Sequence, residues 1–291
     1  MSTSNIAPGL RRYGAVLHHE IFFALLFVSV IVRLSVAGPP DATVLLLSFA
    51  SCLMVQVLLV VFCHLRPTPA RWRFRLLFYP LVINFVYLLL PEVVRSLGLG
   101  LQDQALQRID RLLIGGDLST RLQVLATPLL TEVLSAAYLF YMLYFGVSQL
   151  LYFLDDLELA IRFYTGLFTV FALGFLGYVF VPAHGPYLAL SDSFTSPLVG
   201  GDITRFNQEV VRLGSIRVDV FPSLHCAVPA FILAFDYLYK RARFWVCIGP
   251  CLLLFFSTVY LRYHYLVDVL AGFALALMAL ILAARRAPLR L

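Results

Sequence analysis

The stretch FWVCIGPCLLLFFSTVYLRYHYLVDVLAGFALALMALILAA, residues 244–284, is apolar almost throughout and is interrupted only around Arg262, Tyr263 and His264. A helix needs about 20 apolar residues to cross the hydrocarbon core of a bilayer, and lipid offers no hydrogen-bond partner to an unpaired backbone group. The stretch is therefore long enough for two transmembrane helices that meet at a polar turn.

The rest of the chain has the same character. It is 61% hydrophobic and 13% charged, whereas soluble domains are about 45–50% apolar and about 25% charged. The fold class that this composition predicts is an all-α polytopic membrane protein, organised as one membrane domain. The apolar runs predict about eight spans, at residues 21–37, 42–63, 76–97, 131–154, 161–181, 223–238, 244–258 and 265–284.

Two segments between the spans are more polar. Residues 98–128 mix charged side chains with leucines at helical spacing, which is typical of an interfacial amphipathic helix. Residues 183–220 form the longest polar stretch and are rich in Gly, Pro, Ser and Asp. Loops on a rigid scaffold commonly carry function, so this stretch is a candidate for part of a functional site.

Basic residues predict the orientation, because short cytoplasmic loops carry an excess of Lys and Arg. If eight spans alternate from a cytoplasmic N-terminus, the basic clusters within residues 11–12, 66–75, 240–243 and 285–290 all lie on the cytoplasmic side. Residues 183–220 and the turn at His264 then lie on the extracytoplasmic face, which we expect to be that of the plasma (inner) membrane. The formal net charge of +6 reflects this topology and does not indicate nucleic-acid binding.

Three polar residues, His18, His19 and Glu20, stand near the start of the first predicted span. A metal site would be one interpretation of this run. Polar side chains at the membrane interface are commoner, and we expect these three residues to lie there.

The first motif that carries chemistry is Phe221-Pro222-Ser223-Leu224-His225. Proline is favoured at the first position of a helix, so the motif predicts a helix start at the outer surface. The backbone N–H groups of Ser223, Leu224 and His225 would then have no partner within the helix, and such an end binds phosphate readily. Ser223 and Leu224 are therefore candidate phosphate-binding residues, and His225 can reach the same anion.

The second motif is His264-Tyr265-Leu266-Val267-Asp268. On a helix, His264 and Asp268 are four residues apart, so the carboxylate can accept a hydrogen bond from one imidazole nitrogen and leave the other for a substrate. This arrangement holds a histidine in one tautomer as a nucleophile. HxxxD alone is equally typical of a structural pair, but its position beside the first motif, at the outer end of a neighbouring span, favours a catalytic role.

The two motifs together resemble a known family. FPSLHCA at residues 221–227 and STVYLRYHYLVDVLAG at residues 257–272 are similar to the second and third signatures of the type 2 phosphatidic acid phosphatase superfamily, and most similar to its branch of inositol phosphorylceramide synthases and sphingomyelin synthases. The resemblance implies a six-helix catalytic domain at residues 76–291, with two additional spans at residues 1–75. It further implies a phosphohistidine mechanism without metal or cofactor, in which His264 is the nucleophile, Asp268 orients it and His225 is the acid and base.

The chain departs from the phosphatases of this superfamily at two phosphate-binding cations. Their first signature, KxxxxxxRP, has no counterpart in GYVFVPAHGPY at residues 177–187, and Thr258 stands where they carry arginine. The transferase-like branch lacks both cations. The resemblance therefore favours transfer of a phosphate-bearing headgroup between lipid and alcohol, and the alternative is hydrolysis of a lipid phosphate or a polyprenyl diphosphate. Candidate residues to replace the missing charge are Arg262, His184, Arg212 and Arg217.

The expected partners are lipid substrates within the bilayer and an acceptor that is a small alcohol, a lipid or water. Two functions of other classes would use the same residues. A lipid transporter or scramblase could use intramembrane His and Asp as a proton relay, although its repeated halves are not visible here. A metalloenzyme could hold zinc with His225, His264 and Asp268.

Overall fold

The computed structural model describes residues 16–39 and 42–284, and within these ranges the chain forms helices and no strand. The basic residues predicted to flank the first and last spans, at 11–12 and 285–290, lie outside the described residues. The described α-helices are α1 His18–Ala37, α2 Thr43–Leu65, α3 Pro69–Ser96, α4 Asp103–Ile114, α5 Leu118–Leu122, α6 Pro128–Leu154, α7 Leu157–Phe180, α8 Pro186–Ala189, α9 Asp202–Gly214, α10 Leu224–Tyr239, α11 Arg241–Tyr260 and α12 Leu266–Ala284.

Seven helices of the described part, α1, α2, α3, α6, α7, α11 and α12, are long and apolar enough to cross a membrane. Helix α10 is also apolar but has only 16 residues. Each of the eight predicted spans coincides with one of these helices. The predicted fold class, an all-α multi-pass membrane protein, is confirmed.

Helices α3 and α6 begin several residues before the predicted spans, and the sequence Thr-Pro explains why. The hydroxyl group of Thr68 accepts a hydrogen bond from the backbone N–H of Arg71, and that of Thr127 accepts one from Leu130. In both helices proline then occupies the first turn, where its missing N–H costs nothing. A threonine cap followed by proline therefore starts the helix outside the apolar run.

Helix α7 is the centre of the bundle. It packs against α1, α3, α6, α10 and α12, and most of its side chains are buried. Helix α1 also packs against α2 and α3, and one continuous apolar core runs from α1 to α12. The helices before residue 76 are therefore packed into the same core as the helices that carry the two motifs.

His19 and Glu20, in the first turn of α1, are not exposed as polar side chains at a membrane surface would be. Both side chains are buried, and the Glu20 carboxylate forms a bidentate ion pair with Arg75 of α3, in which Nε of Arg75 lies 2.6 Å from Oε1 of Glu20. The ring of His19 contacts Tyr79 with a centroid distance of 4.4 Å. These polar residues thus form buried contacts that link α1 to α3.

Two amphipathic helices lie outside the apolar spans. Helix α4, within the predicted amphipathic segment, exposes Leu112 and Leu113 and buries the side chains of Asp103 and Asp110. Its acidic face therefore points into the protein and its apolar face points outward.

Helix α9 was not predicted, because residues 183–220 read as a polar loop. It buries Thr204 and Asn207 and exposes Ile203, Phe206 and Leu213. The carboxylate of Glu132 on α6 accepts hydrogen bonds from backbone N–H groups at the start of α9, at 2.6 to 3.0 Å. This carboxylate stabilises the helix start, where negative charge is favoured.

Candidate functional site

The start of α10 differs from the prediction in one respect. Ser223 is the N-cap, since its hydroxyl group accepts a hydrogen bond from the N–H of Cys226 at 3.3 Å, and the helix begins at Leu224. Pro222 therefore precedes the helix and does not occupy its first position. The N–H of Ser223 donates to the backbone oxygen of Asp268 at 3.1 Å, so this N–H group is already paired and ties α10 to α12.

His264 lies in the turn between α11 and α12, which corrects the expectation that it is helical. Helix α12 begins at Leu266. The turn is shaped by the backbone oxygen of Thr258, which accepts hydrogen bonds from the N–H groups of Tyr263 and His264 at 3.0 and 3.1 Å. Arg262 adopts a left-handed conformation with φ of 69°, which is uncommon for a residue with a side chain. The turn is therefore held in a specific shape immediately before His264.

The turn nevertheless brings His264 and Asp268 together. Their Nδ1 and Oδ2 atoms lie 3.6 Å apart, and both side chains are buried. This distance exceeds that of a hydrogen bond, and His264 Nδ1 has no other hydrogen-bond partner among the described residues. Hydrogen bonds of catalytic groups are often long before substrate binds. The Oδ2 atom of Asp268 also accepts a hydrogen bond from the N–H of Tyr265 at 2.9 Å, which fixes the carboxylate at the start of α12.

His225 faces His264, with a distance of 5.8 Å between the ring centroids. Its Nε2 atom lies 3.0 Å from the hydroxyl group of Tyr138, and its ring stacks on Tyr138 with a centroid distance of 4.7 Å. The ring of Tyr141 lies 4.6 Å away. Neither tyrosine belongs to the two sequence motifs. Their spacing of three residues, which places them on one face of α6, was the available signal.

Both histidines line a cavity of about 340 Å³. This volume is within the range of small-molecule sites, which is about 300–1,000 Å³. Leu224 also lines it. None of the described lining residues is Lys or Arg. The most frequent lining residue is tyrosine, and these are Tyr87, Tyr138, Tyr141, Tyr178, Tyr187 and Tyr263.

Of the four residues expected to replace the missing cations, His184 lines the cavity. Its Nδ1 atom lies 2.6 Å from the backbone oxygen of Arg217, whose own side chain is exposed. The guanidinium group of Arg262 donates to the carbonyl oxygen of Ser196 and lies 3.9 Å from the centroid of the Phe194 ring. Burial lowers the pKa of this guanidinium from its usual value.

Arg212 pairs with Glu209 on the surface of α9, where Nη2 and Oε1 lie 2.6 Å apart. The ion pair lowers the pKa of Glu209. The structure therefore brings His184 to the two catalytic candidates, His225 and His264, and it places the side chains of Arg212, Arg217 and Arg262 off the cavity wall.

The acidic face of α4 holds the segments that carry the histidines. The carboxylate of Asp110 accepts hydrogen bonds from the N–H groups of Leu266 and Val267 at 2.8 and 2.9 Å, at the start of α12. Burial raises the pKa of Asp110, and the two N–H groups act in the opposite direction. This carboxylate was missed in the sequence because the partners lie more than 150 residues away.

Asp103 performs the same role for the loop after α7. Its carboxylate accepts hydrogen bonds from the N–H of Gly185 and the hydroxyl group of Tyr265, both at 2.9 Å. Gly185 has a φ of 81°, and a Cβ atom there would lie 2.6 Å from the backbone oxygen of Tyr263. Only glycine permits this close approach of the His184 loop to the turn before His264.

The zinc alternative finds no support in this geometry. Among residues 16–39 and 42–284, no group of three His, Cys, Asp or Glu side chains is arranged to hold a metal ion.

Comparison with known proteins identifies the family. The PAP2 superfamily, the type 2 phosphatidic acid phosphatases of the motif resemblance, matches residues 104–282, a range that begins in α4 and contains both motifs. Comparison with curated proteins and with solved structures gives no match. The match covers more than half of the chain and includes His225, His264 and Asp268. The chain therefore belongs to the PAP2 superfamily and is an enzyme of the phosphatase and phosphotransferase type.

Proposed function

We propose that this enzyme transfers a phosphate-bearing headgroup between a lipid and an alcohol, as inositol phosphorylceramide synthases do, through a phosphohistidine intermediate. The observation that carries the proposal is the pair of histidines 5.8 Å apart on one cavity wall, with Asp268 beside His264. The six-helix unit at residues 76–291 would carry this activity, and the helices before it would extend its core.

In the first half-reaction, Nε2 of His264 attacks phosphorus while Nδ1 faces Asp268. The P–N bond forms as the P–O bond to the lipid breaks, and His225 donates a proton to the departing oxygen. Asp268 favours the imidazolium form that develops on the nucleophile. In this mechanism the N–H groups of Leu224 and His225, at the start of α10, stabilise the equatorial oxygens, whose charge grows in the transition state.

In the second half-reaction, the acceptor hydroxyl group gives its proton to His225 and attacks phosphorus, and the P–N bond to His264 breaks. A lipid or small alcohol as acceptor gives transfer, and water gives hydrolysis. The missing arginine at Thr258 and the missing first signature support transfer, since these departures are shared with the transferase-like branch. Hydrolysis of a lipid phosphate or a polyprenyl diphosphate is the alternative.

The proposed site opens to the extracytoplasmic side of the plasma (inner) membrane. The Lys and Arg distribution supports this orientation. A cysteine introduced at Ser193, in the loop before α9, should react with a membrane-impermeant maleimide in intact cells, and one introduced at Lys240 should react only after permeabilisation. The opposite pattern would contradict the orientation.

The activity is tested with purified protein in lipid micelles. Candidate phospholipid donors, labelled at phosphorus, are incubated with ceramide or long-chain alcohols, and labelled new phospholipid is separated from free phosphate. Transfer predicts the phospholipid product, and hydrolysis predicts free phosphate. Absence of both products would contradict the proposed class of activity.

The residue roles are tested by trapping the phosphoenzyme at alkaline pH, because the P–N bond of a phosphohistidine is stable to base and labile to acid. His264→Ala should abolish the labelled phosphoenzyme and all turnover. His225→Ala should slow turnover by about a hundredfold or more, the usual contribution of a general acid or base. His64→Ala, at an exposed position in α2, is the matched control and should leave turnover unchanged. Full activity of the His264 variant would contradict the mechanism.

A further inference from the structure

The cavity wall carries an acidic side chain that the proposed mechanism does not use. Asp219 lines the cavity together with His184, His225 and His264, and it is the only Asp or Glu among the described lining residues. None of those residues is Lys or Arg, so the wall that carries the two histidines also carries a carboxylate and no Lys or Arg side chain to offset its charge.

Two neutral groups hold this carboxylate in place. The hydroxyl group of Tyr87 on α3 donates to Oδ2 of Asp219 at 2.5 Å, and that of Ser215 donates to Oδ1 at 3.0 Å. Ser215 is in turn fixed because its oxygen accepts a hydrogen bond from the N–H of Arg217 at 3.1 Å. These bonds orient the carboxylate but bring no positive charge to it. Each oxygen keeps acceptor capacity for a donor of the substrate.

A fixed negative charge distinguishes two classes of phosphate ester. A phosphodiester carries one negative charge, whereas a phosphomonoester carries about 1.5 to 2 at neutral pH. Coulomb repulsion grows in proportion to the charge and is strong where water is partly excluded. The carboxylate therefore disfavours a monoester more than a diester.

We propose that Asp219 makes this site selective for lipid phosphodiesters over lipid phosphomonoesters and receives a hydrogen-bond donor of the diester's headgroup. This inference rests on the proposed lipid phosphotransfer function. It adds that the lipid donor carries one phosphate charge and that Asp219 discriminates against a second one. The same carboxylate that repels a second phosphate charge attracts the hydroxyl or ammonium hydrogens of a headgroup.

The test compares four lipid donors that all release diacylglycerol when the headgroup phosphate is transferred. Phosphatidate is the monoester, and phosphatidylinositol, phosphatidylglycerol and phosphatidylethanolamine are the diesters. Release of diacylglycerol is measured for each lipid in the same mixed micelles with a long-chain alcohol present. The readout is the ratio of kcat/KM for phosphatidate to that for the best diester.

The wild type should prefer a diester, and Asp219→Asn should shift the ratio toward phosphatidate by about tenfold or more, since one unit charge is removed. Asp219→Glu, which keeps the charge, should retain the preference. Asp192→Asn is the matched control, because Asp192 is an exposed acidic residue of the same outer region that does not line the cavity. Its ratio should equal that of the wild type.

A wild type that prefers phosphatidate, or an active Asp219→Asn enzyme with an unchanged ratio, would overturn this inference and leave the proposed chemistry standing. A wild type that releases diacylglycerol from none of the four lipids would overturn both. If Asp219→Asn does not fold, Asp219→Ser provides a second neutral variant, and the preference of the wild type remains decisive by itself.

Discussion

At the scale of single residues, Tyr138 is the nearest polar partner of His225. Its hydroxyl group lies 3.0 Å from Nε2 of His225, and its ring stacks on the imidazole. In the proposed mechanism, a proton that His225 gives or takes moves beside this hydroxyl group. The contact fixes the ring of His225 and stabilises one of its tautomers.

Tyr138→Phe removes this hydrogen bond and keeps the stacked ring. We expect kcat to fall roughly fivefold to tenfold, because one hydrogen bond contributes about 1 kcal/mol, and KM to change little. The measurement is steady-state turnover with a saturating lipid donor. Tyr141→Phe is the control, since Tyr141 contacts the same imidazole through its ring, 4.6 Å away.

Because both variants keep their rings, an equal loss in Tyr141→Phe would contradict a specific role of the Tyr138 hydroxyl group.

The sequence indicated the candidate residues that lie within short motifs, and the structure brings His225 and His264 to one cavity. His225 follows a recognisable helix start, and His264 and Asp268 lie four residues apart, so local spacing was sufficient. Tyr138 and Asp219 lie outside these motifs and reach the cavity from another helix and a loop, so local spacing did not connect them to His225. Asp219 stands only six residues before His225, but nothing in its own neighbourhood shows that it faces the same cavity.

At the scale of elements, α4 determines where α12 begins. Asp110 accepts hydrogen bonds from Leu266 and Val267, the first residues of α12, directly after the turn that carries His264. The exposed leucines of α4 lie on its other face, where they can contact lipid. The buried face of α4 therefore fixes the start of α12, directly after the turn that carries His264.

Asp110→Ala removes the acceptor of two N–H groups at a helix start, a loss of about 1 kcal/mol. We expect kcat to fall by about tenfold to a hundredfold, because small displacements of a nucleophile are costly, while KM changes less. Asp110→Asn retains one acceptor oxygen and should recover part of the rate. Turnover and thermal unfolding of each variant are compared.

Gln104→Ala, at an exposed position on the same helix, should match the wild type. Equal kcat in Asp110→Ala and Gln104→Ala would show that α4 does not position His264.

Gly272 sets the distance between α10 and α12. A Cβ atom at this position would lie 2.6 Å from the backbone oxygen of Ser223 and 3.3 Å from the nitrogen of Ala227. These are backbone atoms at the start of the helix that carries His225, so they cannot move aside alone. Gly272→Ala should therefore separate the two helices.

We expect Gly272→Ala to cost about 1–3 kcal/mol of stability, as overpacking does, and to lower turnover at least about tenfold. Thermal unfolding and lipid turnover check both effects. Gly249→Ala is the matched control, because a Cβ atom there meets nothing within 4 Å. Wild-type activity in Gly272→Ala would contradict the importance of this close approach.

The apolar spans were predictable because lipid requires long apolar helices, and every predicted span has its counterpart. Helix α9 was not predictable as a span, since it is short and polar on one face. Its outward side chains Ile203, Phe206 and Leu213 repeat at helical spacing, and this pattern was the signal available within residues 183–220.

At the scale of the whole molecule, the first three helices share one apolar core with the helices that carry the two motifs, although the PAP2 match begins only at residue 104. Glu20 of α1 and Arg75 of α3 form a buried ion pair, with exposed side-chain fractions of 0% and 2%. Helix α1 also packs directly against the central helix α7. Loss of this ion pair should therefore destabilise the entire helix bundle.

Glu20→Ala leaves the Arg75 guanidinium buried without its carboxylate. We expect this to destabilise the protein by about 3–5 kcal/mol, the usual cost of removing one partner of a buried pair. Replacing both residues, with Glu20→Gln and Arg75→Met, should recover much of that loss because no unpaired charge remains. Thermal unfolding of the detergent-solubilised protein measures both effects.

If Glu20→Ala and the double variant unfold at the same temperature as the wild type, α1 is not coupled to the bundle through this pair. Because the pair lies away from the His225 cavity, the fraction of each variant that remains folded should keep the wild-type kcat.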